Sequence, residues 1–292
     1  MQPKYEEKTF ESYFNSELDQ RASIYFPFGQ VQEGSIGADS AAQSQSRWLW
    51  RRLGFPFWFR PRFLGVDLRE VADEMEHHLQ HEIRNIPSIK ANLLFQYKRP
   101  EVITTANGSE WSHWGQRYFR YGIYVEQQAL LMHLNAKFGS QALILYASPA
   151  LADVNDLVNA KLSRTIIEDT NFCTVTSLQG HHRNTYIRAG LHSIACSEPE
   201  QIPPIDLLET LRQFKDGQSA TSNLETVQAF SKAVRGIVAE DAYLGKSYQA
   251  SLKPFAELGL EQYKLLFSFI SMSVFRDLSG IQWLLSVRDE DV

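Results

Sequence analysis

Residues 93–100 read Leu-Leu-Phe-Gln-Tyr-Lys-Arg-Pro, and they hold the residue types most able to do chemistry. Leu93, Leu94, Phe95 and Tyr97 favour a strand. Gln96 and Lys98 are two residues apart, so they leave such a strand on the same side. An ammonium and an amide on an apolar strand are costly to bury without partners. Two readings account for them. One is a site where Lys98 meets an anion and Gln96 meets a metal or its water. The other is an edge strand whose lysine reaches out to solvent.

Residues 46–64 bring together Trp48, Trp50 and Trp58 with Arg47, Arg51, Arg52, Arg60 and Arg62. Aromatic faces and guanidinium groups suit base stacking and phosphate contact. They equally suit a loop whose rings plug a core under a coat of arginines. Glu74, His77, His78, His81 and Glu82 crowd one helical stretch. His77 and His81 share a helix face and have a spacing that zinc accepts. The His-Glu-x-x-His order is missing, and a solvated polar face is the plainer reading. His181 and His182 follow Gly180 in a turn-like segment. No Gly-x-Ser-x-Gly, phosphate loop or dinucleotide fingerprint occurs.

These residues need elements to position them. Helices are expected over 5–19, 67–83, 122–137, 153–168, 205–215, 223–239 and 258–276. Strands are expected over 89–98, 143–146, 171–178, 185–196 and 281–287. In the 122–137 helix, Ile123, Leu130, Leu131 and Leu134 form an apolar stripe. Gln127 lies on that stripe, so its amide requires a polar pocket. The pattern is α/β, with a boundary near residue 200: a core over 1–200 and a mainly helical region over 201–292, which also suits one shared domain.

The 292 residues allow a sizeable core. A net charge of −5 and 22% charged residues exclude a molecule basic throughout, so nucleic-acid binding would need a local patch. Cys173 and Cys196 are too few for a disulfide scaffold or a four-thiolate zinc site. The N-terminus is polar, without a secretory signal, and no apolar run has membrane-spanning length. A cytoplasmic location and no membrane contact are expected.

The order of these features resembles the PD-(D/E)xK nuclease superfamily, the restriction-endonuclease-like fold. Glu33 and Asp39 stand in Glu-x-x-x-Gly-x-Asp, Gln96 and Lys98 form a Gln-x-Lys variant of the last motif, and Gln127 follows on a helix. Phe95-Gln96-Tyr97-Lys98-Arg99 and Tyr146-Ala147-Ser148-Pro149 are similar to stretches in uncharacterised bacterial proteins. The resemblance covers roughly residues 25 to 150. It implies a mixed central sheet flanked by helices and a catalytic set of Glu33, Asp39, Gln96, Lys98 and Gln127. It further implies magnesium or manganese on Asp39, Gln96 and Glu33. Phosphodiester hydrolysis of nucleic acid, DNA ahead of RNA, would follow, in a setting such as bacterial defence. The usual acid is replaced by Gln96, and Asp67 rivals Asp39 as the metal aspartate. The alternative is a catalytically inactive nuclease-fold protein. It would bind nucleic acid through Arg47, Arg51, Arg52, Arg60 and Arg62, or a protein partner, or a second copy.

Overall fold

The structure is a computed structural model, and it describes residues 3–25, 68–214 and 222–288. The chain forms two compact units, and neither is a continuous stretch. One takes residues 1–25, 89–218 and 279–292, and the other takes 26–88 and 219–278. Residues 1–200 and 201–292 are therefore not the groups that pack together. The last strand supplies the reason, because it pairs with a strand almost two hundred positions earlier in the chain.

The first unit opens with helix α1 (Glu7–Arg21). Phe10, Phe14 and Leu18 recur every fourth residue and are fully buried, so this stripe carries the helix onto the core. Phe14 meets Phe95 and Tyr97 edge-on, at ring centroid distances of 5.5 and 5.6 Å. After β1 (Ile24–Tyr25), the central strand is β2 (Ile89–Tyr97). Its run of apolar residues is buried from Ala91 onward, as expected of a strand covered on both faces.

Two small strands, β3 (Glu101–Ile103) and β4 (Tyr118–Gly122), follow. A helix, α2 (Leu68–Asn85), precedes β2 in the chain. Between β3 and β4 lies a single turn, α3 (Trp111–Trp114). Helix α4 (Val125–Phe138) then crosses to β5 (Ala142–Pro149), which runs parallel to β2. Helix α5 (Val154–Ser163) starts at Asp153, whose side chain accepts from the backbone N–H groups of Asn155 and Asp156. It stops at Arg164, which adopts a left-handed conformation with φ 57°, so the helix is shorter than the 153–168 expected.

Strand β6 (Thr170–Thr174) completes a five-stranded sheet in the order β1, β10, β2, β5, β6, where β10 is Ile281–Val287. All its pairs are antiparallel except β2 with β5. A second sheet, not foreseen from the sequence, joins β3, β4, β7 (Arg183–Tyr186), β8 (Ser193–Cys196) and β9 (Glu200–Ile202), all antiparallel. The expected 185–196 strand is thus two strands with a turn between them. The sheets meet through buried polar contacts. Tyr186 donates to Ser148 Oγ at 2.8 Å and to the Pro149 carbonyl at 3.0 Å, and Tyr121 stacks on Tyr146. Helix α6 (Leu207–Gln213) also belongs to this unit.

The described part of the second unit is helical: α2, α7 (Asn223–Glu240), α8 (Gly245–Glu257) and α9 (Lys264–Ser279) up to residue 278. Asn223 caps the end of α2, donating to the carbonyls of Ile83, Ile86 and Pro87. Glu76 of α2 accepts from the first N–H groups of α9, at 3.0 Å from Leu265 and 2.7 Å from Leu266. Leu265, Leu266, Phe267, Phe269, Met272 and Phe275 of α9 are buried, as its apolar run requires. His77 and His81 of α2 are exposed, and His81 pairs with Asn85 at 2.9 Å.

Candidate functional site at the end of the central strand

Strand β2 lies between β10 and β5, so Gln96 and Lys98 do not sit on a sheet edge. Lys98 continues the strand beyond its last regular residue, since its N–H donates to Ala147 of β5 at 2.9 Å. The side chains are 3% and 7% exposed, respectively. The edge-strand reading with a solvent-seeking lysine is therefore set aside, because the strand has neighbours on both sides.

The first turn of α4 brings Gln127 over the end of β2. Lys98 Nζ donates to Gln127 Oε1 at 2.6 Å, and Gln127 Nε2 donates to Gln96 Oε1 at 2.6 Å. Gln127 Nε2 also donates to the Ser279 carbonyl at 3.1 Å, and Gln96 Nε2 to the Tyr97 carbonyl at 3.1 Å. The three side chains thus form one chain of hydrogen bonds. It fixes which end of each amide faces the lysine. Gly280 turns the backbone between α9 and β10 with φ 71°, and this places the Ser279 carbonyl at the site.

The ammonium has aromatic neighbours as well. Lys98 Nζ lies 4.7 Å from the Tyr124 ring centroid and 5.7 Å from that of Tyr146. Tyr146 is held by its hydroxyl, which donates to Gln128 Oε1 at 2.7 Å. Ser148 Oγ donates to the Lys98 carbonyl at 2.9 Å. The Tyr146–Pro149 stretch singled out in the sequence thus supports Lys98 from β5, through a ring, a carbonyl and a hydroxyl.

Burial pushes the Lys98 ammonium down to about 8, and the charge of Glu7 opposes that shift. Burial raises the Glu7 carboxyl, against the hydrogen bond from the Arg99 N–H and the charge of Lys98. Glu7 Oε2 accepts that N–H at 3.0 Å, so α1 also anchors the exit of the strand. Among the described residues, Gln127 is the one hydrogen-bond acceptor for Lys98 Nζ, and no carboxylate lies within 4 Å of it. The ammonium keeps two further protons able to meet an anion.

Of the expected set, Gln96, Lys98 and Gln127 come together. Glu33, Asp39 and Asp67 lie outside the described residues, as do Arg47, Arg51, Arg52, Arg60 and Arg62. Gln96 Oε1 is a hard neutral oxygen of a type magnesium accepts, but a magnesium shell also takes one or two carboxylates. Glu7, Tyr124 and the Ser279 carbonyl were not foreseen. An opening-helix glutamate and a C-terminal carbonyl carry no local signal of a shared site. Tyr124 falls inside the helix expected over 122–137, and its place just before the first turn comes only from the fold.

Further from this site, Glu110 is buried and bonded to Tyr118 Oη at 2.9 Å, Arg120 and Arg183. This paired cluster ties the second sheet together. His181 meets Glu200 at 3.3 Å and His182 meets Ser197 at 2.7 Å. Cys173 and Cys196 are free and buried. Among the described residues, no three His, Cys, Asp or Glu side chains group to hold a metal, and no helix is long and apolar enough to cross a membrane. Comparison of the chain with protein-family models, with curated proteins and with solved structures finds no match in any of the three.

Proposed function

We propose that the cluster at the end of β2 is the phosphate-facing half of a phosphodiesterase site, and that the chain is a metal-dependent nuclease on a restriction-endonuclease-like core. The observation that carries this reading is Lys98. It is a buried ammonium held by an amide and two rings, with protons to spare and no described carboxylate in contact. A cation kept in that state is suited to hold a phosphate oxygen and to offset the charge that grows on it during hydrolysis. Gln127 orients the ammonium, and Gln96 orients Gln127. Magnesium or manganese, when bound, would supply Lewis-acid activation of water and phosphate. Gln96 would lend its amide oxygen to that ion, and the resemblance assigns the carboxylates to Glu33 and Asp39.

The test is cleavage of DNA and RNA by the purified chain with magnesium or manganese, with Lys98→Ala and Asp39→Ala in parallel. Both variants should lose cleavage while keeping the circular dichroism of the parent and a cooperative melting transition. Unchanged cleavage in both would rule the reading out.

A second reading has its own observation. Gln96 stands where the family has an acid, and its oxygen is already engaged by Gln127. That arrangement favours a nuclease-fold protein that binds nucleic acid or a protein partner without cutting. Binding that weakens steeply with salt, with no cleavage under any metal, would support it.

A further inference from the structure

We infer that Tyr124 is a stacking platform for one unpaired base of a single-stranded nucleic acid, beside the phosphate contact of Lys98; this rests on the phosphate-binding reading of that site. Tyr124 is 67% exposed and its neighbour Val125 is 75% exposed, the two standing at the start of α4. Large apolar side chains left in water at a functional site are candidates for contact. The residue is anchored by its backbone and by one contact to its ring. It starts the helix, with the Tyr124 carbonyl accepting from the Gln128 N–H at 2.8 Å, and the face of its ring lies over the Lys98 ammonium at 4.7 Å.

One face of the ring is therefore given to a buried cation, and most of the side chain is left to solvent. The cation draws electron density toward itself. That favours the π-face of a nucleobase on the outer side of the ring. Within a duplex, both faces of a base are covered by its neighbours, so the platform selects a base that is unpaired or turned out of its stack. Every base has a π-face, so the contact discriminates strandedness and not sequence.

The experiment measures fluorescence anisotropy of a short labelled oligonucleotide with the full chain in chelator, so that cleavage does not enter. Three probes are compared: the single strand, the same strand annealed to its complement, and the same strand with abasic sites. The wild-type chain should bind the single strand more tightly than the other two. Tyr124→Ala should weaken single-strand binding by about 5- to 140-fold, the range that stacking of a base on an aromatic side chain spans. It should leave abasic-strand binding within a factor of about two, because a lost stack cannot be lost twice. Tyr124→Trp should restore the affinity. Equal affinities of parent and Tyr124→Ala for the single strand, or an equal loss on the abasic strand, would overturn the proposal. So would duplex binding as tight as single-strand binding. A chain that shows this Tyr124 pattern but never cleaves would remove the nuclease reading and leave the platform standing.

Discussion

At the scale of single residues, the site turns on the charge of one lysine. Lys98 titrates near 8 in the folded chain, below its ordinary value of 10.5, because burial penalises the ammonium. Between those two values the folded chain binds fewer protons than the unfolded one, so this lysine's contribution to stability rises with pH there. Below about pH 8 it opposes folding by roughly 3 kcal/mol, and near pH 10.5 by nothing. Replacing it with methionine should therefore stabilise the chain at pH 7, by up to about that amount less the lost bond to Gln127. The gain over the parent should fade as the pH approaches 10.5. Urea melts of the two proteins across this range measure it, and a constant or growing difference would contradict the burial argument. Stability given up at a fixed cation is what a functional site shows. The same titration bears on the proposed activity. If the ammonium form is what meets phosphate, cleavage should fall as pH rises through about 8, and a pH–rate profile reads this directly.

At the scale of elements, two distant contacts can be tested by stability alone. Glu76 caps α9 from a separate helix through the N–H groups of Leu265 and Leu266. These are among the four N–H groups that no helix can satisfy internally. Glu76→Ala should cost about 1–2 kcal/mol in chemical denaturation, with Glu76→Gln intermediate. Gly280 forms the turn from α9 into β10 at φ 71°, and a Cβ there would stand 3.7 Å from Gln96 Nε2, which is ordinary contact. The cost of Gly280→Ala is thus backbone strain and not crowding, about 1–2 kcal/mol. The same change should lower activity disproportionately, because it moves the Ser279 carbonyl that steadies Gln127. Equal activity per folded molecule would show that this carbonyl does not matter to the site.

At the scale of the molecule, the arrangement of β10 decides what can fold alone. Its residues pair with β2 along nearly their full length, from Ile281 opposite Gln96 to Val287 opposite Ile89, and with β1 on the other side. A fragment of residues 1–200 would lack the strand that separates β1 from β2 and would expose Leu93, Leu94 and Phe95 along an open edge. It is expected to show no cooperative thermal transition, whereas the full chain should. A cooperative transition in the fragment would mean that the first two hundred residues form a sufficient core. Strand β10 was recognisable in sequence as Ile-Gln-Trp-Leu-Leu-Ser-Val, but its partner was not. Nothing local says which of several apolar strands it will join. The second sheet is illegible in the sequence for a related reason. Strands of three to five residues, such as Glu101–Ile103, are too short for alternation to stand out from a loop.

Gln96 and Lys98 on one side of a strand, with an inward Gln127 on a following helix, could be read from residue type and spacing, because side-chain direction repeats with the period of each element. Most of the longer helices could be read in the same way. Helix α8 has no legible pattern, since Pro254 interrupts its apolar period. Only the folded chain decided that these three side chains bond to one another. It also decided that Tyr124, Glu7 and the Ser279 carbonyl share their site and that a C-terminal strand lies beside β2. Those outcomes depend on contacts between residues far apart in sequence, which are set by packing and burial and leave no mark on local periodicity.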